Sequence, residues 1–310
     1  MQPATRRHLR ANLLMLIAAI IWGSAFVAQR LSLDAIGPFL FTGLRFLLGA
    51  GVVFALIACL RPTASRVRLL SAPRAMQRDL LVAGVVLGIL LALSISLQQI
   101  GLKYTKIANA GFITSLYVII VPVLGVLMRH QTGMGTWLGA LLAVVGMYFL
   151  SVSEHFTILY GDWFQLGCAV VISVQVMVVG YFARRLDPLA LSLVQFVVCG
   201  VICLAIALAI EPVNLAVIAA GAPTVLYGGA LSVGIGYTIQ VVAQKDAAPA
   251  HAAVIFSMEG VFAALSGWIV LGETLSSRAL FGCALMLTGL IVCQLLPLLE
   301  SRRAGAATRA

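Results

Sequence analysis

The chain has 310 residues, of which 62% are hydrophobic and only 10% are Asp, Glu, Lys or Arg, with a formal net charge of +10. Mean hydropathy is +1.09. A water-soluble domain carries about 25% charged residues, so this composition excludes one and points to lipid as the main solvent. In lipid every backbone N–H and C=O must be paired within the protein, which leaves helical bundles or closed barrels. The apolar stretches here are long and continuous rather than alternating, which selects helices.

Charges punctuate the chain. The first apolar stretch, 11–29, follows Arg6, Arg7 and Arg10. A basic start before an apolar run is the pattern of a signal peptide. Trp22 and Phe26, however, continue the helix to Arg30 without a small-residue cleavage site, so a retained first span is predicted. The second span, 35–60, contains Arg45. Spans three to seven are predicted at 80–102, 107–128, 131–153, 163–183 and 188–210. The stretch 212–244 is longer than one crossing, and Pro223 predicts an eighth span at 223–243. The ninth, 247–272, contains Glu259, and the tenth is 279–299. About 20 apolar residues cross the roughly 30 Å hydrocarbon core, so the expectation is an all-α integral membrane protein of ten transmembrane helices.

Lys and Arg in short loops set orientation. With the N-terminus inside, the cytoplasmic segments hold fifteen of them: those before Ala11, those in 61–79, Arg129, Arg184, Arg185, Lys245 and those after Glu300. The external segments hold four, Arg30, Lys103, Lys106 and Arg278. Both termini are therefore expected to be cytoplasmic. The basic balance reflects topology, and no nucleic-acid partner is expected.

The two halves match each other. Pro38 precedes Phe46 as Pro188 precedes Phe196; Gln98, Lys103 and Ala108 correspond to Gln240, Lys245 and Ala250; Gly139 and Gly146 correspond to Gly282 and Gly289. Each unit holds five spans, an odd number, so the second copy enters from the other side. Two inverted repeats, 1–155 and 156–310, are predicted, an arrangement suited to alternating access around a midplane site.

The order and spacing of certain residues resemble the drug/metabolite transporter superfamily, EamA type. They are Ile21 to Phe26, Tyr104 to Pro122, Met258-Glu259-Gly260, Leu271-Gly272-Glu273, Gly282 and Gly289. The resemblance covers about 13 to 297. Gly260 stands where that family usually has Pro after the ninth-span Glu. Within the family the chain is similar to the YddG-like exporters of aromatic amino acids. The resemblance implies export of amino acids, nucleosides, drugs or related metabolites across the cell (inner) membrane. It implies no enzyme, no cofactor and no metal, and as partners only a small-molecule substrate and the lipid bilayer, the chain being a monomer or weak homo-oligomer.

Several residues are candidates for transport. The chain contains no G-x-x-x-x-G-K-[ST] sequence, which argues against an ATP-driven pump in this chain. Glu259 is charged near the middle of a span, where polar groups mark function by default; it is a candidate proton carrier. Arg45 has two readings. Its long stem can carry the guanidinium to the interface, the reading favoured by the sequence, or it can pair with Glu259 or with a substrate carboxylate. Gln98 and Gln240 are repeat equivalents, and Tyr237, Gln240 and Gln244 share a helix face; they read equally as a polar site or as helix–helix contacts. Trp22, Ser24, Phe26, Asn109, Phe112, Ser173, Met177 and Phe256 complete a mostly apolar candidate cavity. A multidrug or quaternary-cation exporter of the same fold is the alternative, with Glu259 against the cation. A membrane enzyme or a channel is more remote: His8, His130, His155 and His251 show no metal-ligand spacing with carboxylates, and nothing suggests the ring of charges or carbonyls a pore requires. The six cysteines all lie in apolar stretches without CxxC spacing and read as small packing groups.

Overall fold

The computed structural model describes residues 3–60, 73–105, 107–129, 132–151, 158–272 and 275–307. Among them every regular element is helical. Nine helical segments are long and apolar enough to cross a bilayer, and a shorter apolar helix at Met134–Leu150 adds a tenth.

In chain order the elements are α1 (Pro3–Ser32), α2 (Pro38–Leu60), α3 (Arg74–Tyr104), α4 (Ile107–Thr114), α5 (Tyr117–Leu127), α6 (Met134–Ser151), α7 (Tyr160–Phe182) and α8 (Pro188–Ile210). After α9 (Leu215–Tyr227) come a π-helical stretch (Gly228–Tyr237) and α10 (Thr238–Gln244), then α11 (Pro249–Phe256), α12 (Glu259–Leu271) and α13 (Ser277–Ala307). The starts have local chemical causes. Pro188 at the first turn of α8 needs no hydrogen bond for its missing N–H, and Asp187 accepts the Ala190 N–H at 2.9 Å. Ser276 accepts the Ala279 N–H at 3.1 Å at the head of α13.

The eighth span begins eight residues earlier than Pro223 predicts. Asn214 caps it by accepting the Val217 N–H at 3.0 Å, and Pro223 lies inside α9. The next residues widen into a π-helix containing Gly228, Gly229, Gly234 and Gly236. Glycine has weak helix propensity, but here it allows close packing against neighbours. A side chain at Gly236 would collide with the Trp22 indole, and one at Gly229 with Leu48.

The fourth and ninth spans are each broken in the middle. At the first break Leu116 N bonds Ile113 O and Val118 N bonds Ser115 O. At the second, Met258 N bonds Ile255 O and Gly260 N bonds Ser257 O. Both are one tight turn with i→i−3 bonds, which ends one helix and starts another. Pro122 lies six residues past the first break, whereas the second forms with Gly260 and no proline.

Lipid gives helices little hydrophobic reason to associate, so small residues that allow close approach dominate the interfaces. The tightest is α6 on α13. Here the Gly146 backbone lies on Gly282 and the Gly139 backbone on Gly289, leaving no room for a Cβ on any of the four. Gly84 and Gly88, the GxxxG of α3, lie against Val194 and Val198 of α8. Further pairings are α2 with α8 and with the π-helix, α3 with α7, and α1 with α12 and the π-helix. The main core gathers around Trp22, Phe46, Phe196, Tyr237 and Phe256.

Candidate functional site

A cavity lies in the middle of this core, where α1, α2, α3, α7 and the π-helix meet the two broken spans. Helix α1 contributes Trp22, Phe26 and Gln29, and α2 contributes Arg45. Gln98 comes from α3, Tyr117 from the first break, and Ile172 and Val176 from α7. The eighth span adds Ser232, Tyr237 and Gln240; the second break adds Phe256 and Glu259. The space left between them is about 30 Å³, enough for a water or two.

Its wall is aromatic. Trp22 lies 4.7 Å from the Tyr237 ring and 5.2 Å from Phe256, and Phe46 lies 5.7 Å from Tyr237 and 5.9 Å from Phe196. The Trp22 indole N–H donates to the Ser232 carbonyl at 3.3 Å, which fixes the ring against the π-helix. Such ring pairs favour tilted and edge-on geometry and hold their shape.

Its polar groups are few and buried. Glu259, the first residue of α12, accepts the Tyr117 hydroxyl at 3.1 Å on Oε1. Gln240 Nε2 donates to Gln175 Oε1 at 3.2 Å, while Gln240 Oε1 and Gln29 Oε1 have no donor. Arg45 does not reach the interface: it is 1% exposed. The sequence-based preference for an outward guanidinium fails because the side chain is buried inside the bundle, where Gly228 of the π-helix, next to the Arg45 Cδ, leaves the stem room. Its guanidinium lies 4.9 Å from the Phe41 ring centre and 5.5 Å from that of Phe46.

The structure thus brings Trp22, Phe26, Arg45, Gln98, Tyr237, Gln240, Phe256 and Glu259 to one cavity. It leaves four other candidates off that wall. Ser24 shares a 2.6 Å hydrogen bond with the Tyr227 hydroxyl. Phe112 meets Tyr148 edge-on at 6.4 Å. Ser173 donates back to the Ala169 carbonyl of its own helix at 2.6 Å, which is ordinary helix back-bonding. Met177 lines a different hollow. The side chain of Asn109 lies outside the described residues. Arg45 and Glu259 line the same cavity but form no ion pair with each other among the described residues.

Sequence reasoning missed Gln29, Tyr117, Ile172, Val176 and Ser232. Gln29 was findable: it follows Trp22 and Phe26 by seven and three residues and so shares their helix face. Tyr117 was findable too, at the same 142-residue offset from Glu259 that relates Gln98 to Gln240. Ile172 and Val176 carry no chemical signal, and Ser232 contributes a backbone carbonyl.

The Met177 hollow is larger, about 780 Å³, and lies between α5, α7 and the start of α11. Arg184, Arg185, Thr136 and His251 edge it. His251 bonds Asn12 at 3.1 Å and Cys293 at 3.2 Å, which ties α11 to α1 and α13. At the other end of the bundle α3, α4 and α7 are tied together by hydrogen bonds. There Thr105 donates to Asp162, Thr114 donates to Gln165 Oε1 at 2.8 Å, and Gln165 Nε2 donates to the Gln98 carbonyl at 2.9 Å.

Known proteins share this architecture. A solved structure described as "Crystal structure of protein" superposes with a TM-score of 0.75 over 93% of this chain and 97% of its own, at 22% identity; that likeness concerns the fold. An uncharacterized transporter of Archaeoglobus fulgidus is 31% identical over 294 residues, 93% of this chain and 87% of that protein. The uncharacterized transporter YoaV of Bacillus subtilis is 22% identical over 88% of this chain and 92% of its own. The model of the EamA-like transporter family matches twice, at residues 9–152 and 159–294. Two matches spanning most of the sequence, with apolar helices throughout, place this chain in the EamA-like transporter family as a multi-pass membrane transporter.

Proposed function

We propose that the chain is a secondary exporter of small amphipathic metabolites, with aromatic amino acids favoured, working by alternating access in the inner membrane. The observation that carries this reading is the central cavity. It is walled by residues from both 1–155 and 156–310, lies at two helix breaks, and combines aromatic rings with one guanidinium, one carboxyl and amide oxygens. A mostly apolar cavity with a few directed polar groups is the usual form of a small-ligand site.

Inverted halves and cytoplasmic termini are part of the proposal. The double family match supports two repeats. So do the packing pairs, which exchange into one another when the halves are swapped: α3 with α7 corresponds to the eighth span with α1, and α6 with α13 corresponds to itself. The loop charge bias supports the orientation. On that orientation the 780 Å³ hollow faces the cytoplasm and the Thr105–Asp162 end faces outward, so the proposed state is closed outside and open to a vestibule inside.

The test is efflux from liposomes loaded with Phe, Trp, Thr or a quaternary amine, with and without a pH gradient. Efflux of Phe and Trp is expected. Efflux of the amine alone would replace this reading with cation export, and efflux of none would end it.

A further inference from the structure

We propose that Arg45 is the carboxylate anchor of the central site, and that the substrate is a zwitterionic α-amino acid held by its carboxylate at Arg45 and by its ammonium at Glu259 and the oxygens of Gln29 and Gln240. This rests on the exporter reading above and narrows its cargo.

Arg45 is a permanent cation buried in a membrane span. Its guanidinium donates no hydrogen bond to any described residue, its Nε is buried without an acceptor, and no described carboxylate lies within ion-pair distance. The faces of Phe41 and Phe46 offset part of the charge, but rings cannot accept five in-plane N–H bonds. A buried cation is tolerated when an anion and hydrogen-bond acceptors complete it. The guanidinium fork matches a carboxylate in two parallel bonds, and it borders the cavity.

The same cavity presents the opposite chemistry as well. Gln29 Oε1 and Gln240 Oε1 are buried acceptors without donors. Glu259 commits Oε1 to Tyr117, so its second oxygen remains for a ligand. An α-amino acid carries its anion and its three N–H donors on neighbouring atoms and satisfies both sets at once. An organic cation would face the Arg45 charge, and a simple aromatic carboxylate would leave the acceptors unmet. Trp22, Tyr237 and Phe256 give the side chain an aromatic surround. The small volume, about 30 Å³, means that the substrate enters when the helices around the cavity separate.

The experiment compares tryptophan with tryptamine, which lacks the carboxylate, and with indole-3-propionate, which lacks the amine. Each is tested as a competitor of labelled tryptophan efflux and by calorimetry on the purified full chain. Both analogues are expected to bind at least about tenfold more weakly, the cost of one unmet charged hydrogen bond. Arg45→Gln should weaken tryptophan by a similar factor, leave tryptamine nearly unchanged, and be partly rescued in Arg45→Lys. Tryptamine binding as tightly as tryptophan overturns the anchor. So does Arg45→Gln binding tryptophan like the wild type. The analogue comparison needs no variant and stands if Arg45→Gln fails to fold. Wild-type protein that moves no amino acid overturns the exporter reading itself; tryptophan efflux that ignores the carboxylate overturns only the anchor.

Discussion

The Tyr117 hydroxyl donates to Glu259 Oε1 at 3.1 Å, and each residue is the first of its half-helix past a break. The two positions are related by the offset that relates Gln98 to Gln240, so equivalent places in the halves carry a donor and an acid. The bond links the two breaks across the cavity. On the proposed mechanism, movement that separates the broken spans would break it and free the carboxyl for a substrate or a proton.

Glu259→Gln should therefore weaken and slow downhill exchange of labelled substrate, because the ammonium loses its anionic partner, and what exchange remains should no longer be stimulated by an inward proton gradient. Tyr117→Phe removes one hydrogen bond to the carboxyl, about 1–3 kcal/mol depending on its charge, and should lower thermal stability while leaving the gradient response in place. The readouts are liposome counterflow, gradient-driven efflux and thermal unfolding of the purified variants. Undiminished gradient stimulation in Glu259→Gln would rule out its proton role.

The α6–α13 contact makes a second prediction. Gly146 and Gly282 lie backbone to backbone with no room for a methyl group. Gly146→Ala and Gly282→Ala should each destabilise by about 1–3 kcal/mol through overpacking. Because both force apart the same contact, the double variant should cost less than the sum. Equal and additive losses, read by thermal melts in detergent, would place the strain elsewhere.

Glu211 makes the third. It ends α8 but accepts the Phe39 N–H at 2.9 Å and the Leu40 N–H at 2.7 Å, capping α2 in the other half. A carboxylate on free N–H groups at a helix start is favourable in both hydrogen bonding and dipole. Glu211→Ala should cost about 1–2 kcal/mol. Glu211→Gln should cost less, because one amide oxygen still accepts. A melt unchanged in Glu211→Ala would show the cap to be idle.

Much of this was legible because lipid imposes coarse rules. Continuous apolar stretches between charges locate the spans, and paired residues such as Gln98 with Gln240 locate the cavity's polar wall. Arg45 was misjudged because snorkelling depends on which neighbours surround the stem, and Gly228 of the π-helix, next to it, is far away in sequence. The early start of the eighth span turned on one capping side chain, Asn214. The breaks at 115–116 and 257–258 had no clear local mark, since one arises near Pro122 and the other beside Gly260. Ser24, Phe112 and Ser173 are polar or aromatic on the right spans but turn to other partners, and rotation of a helix by a single position is beyond composition.

Orientation gives the last prediction, and a native thiol makes it simple. Cys59 is exposed at the end of α2, whereas Cys168, Cys199, Cys203 and Cys293 are buried and Cys283 is partly buried. Leu215, 83% exposed, begins α9 just after the α8 turn. The charge bias puts Cys59 inside and Leu215 outside. A membrane-impermeant maleimide applied to intact cells should label Leu215→Cys in a Cys59→Ser background and leave native Cys59 unmodified. Inverted vesicles should reverse the pattern. Labelling of Cys59 in sealed cells would put the termini outside and turn the vestibule edged by Arg184 and Arg185 to face the exterior. The cargo would then meet the larger hollow from outside first, which is the geometry of uptake rather than export.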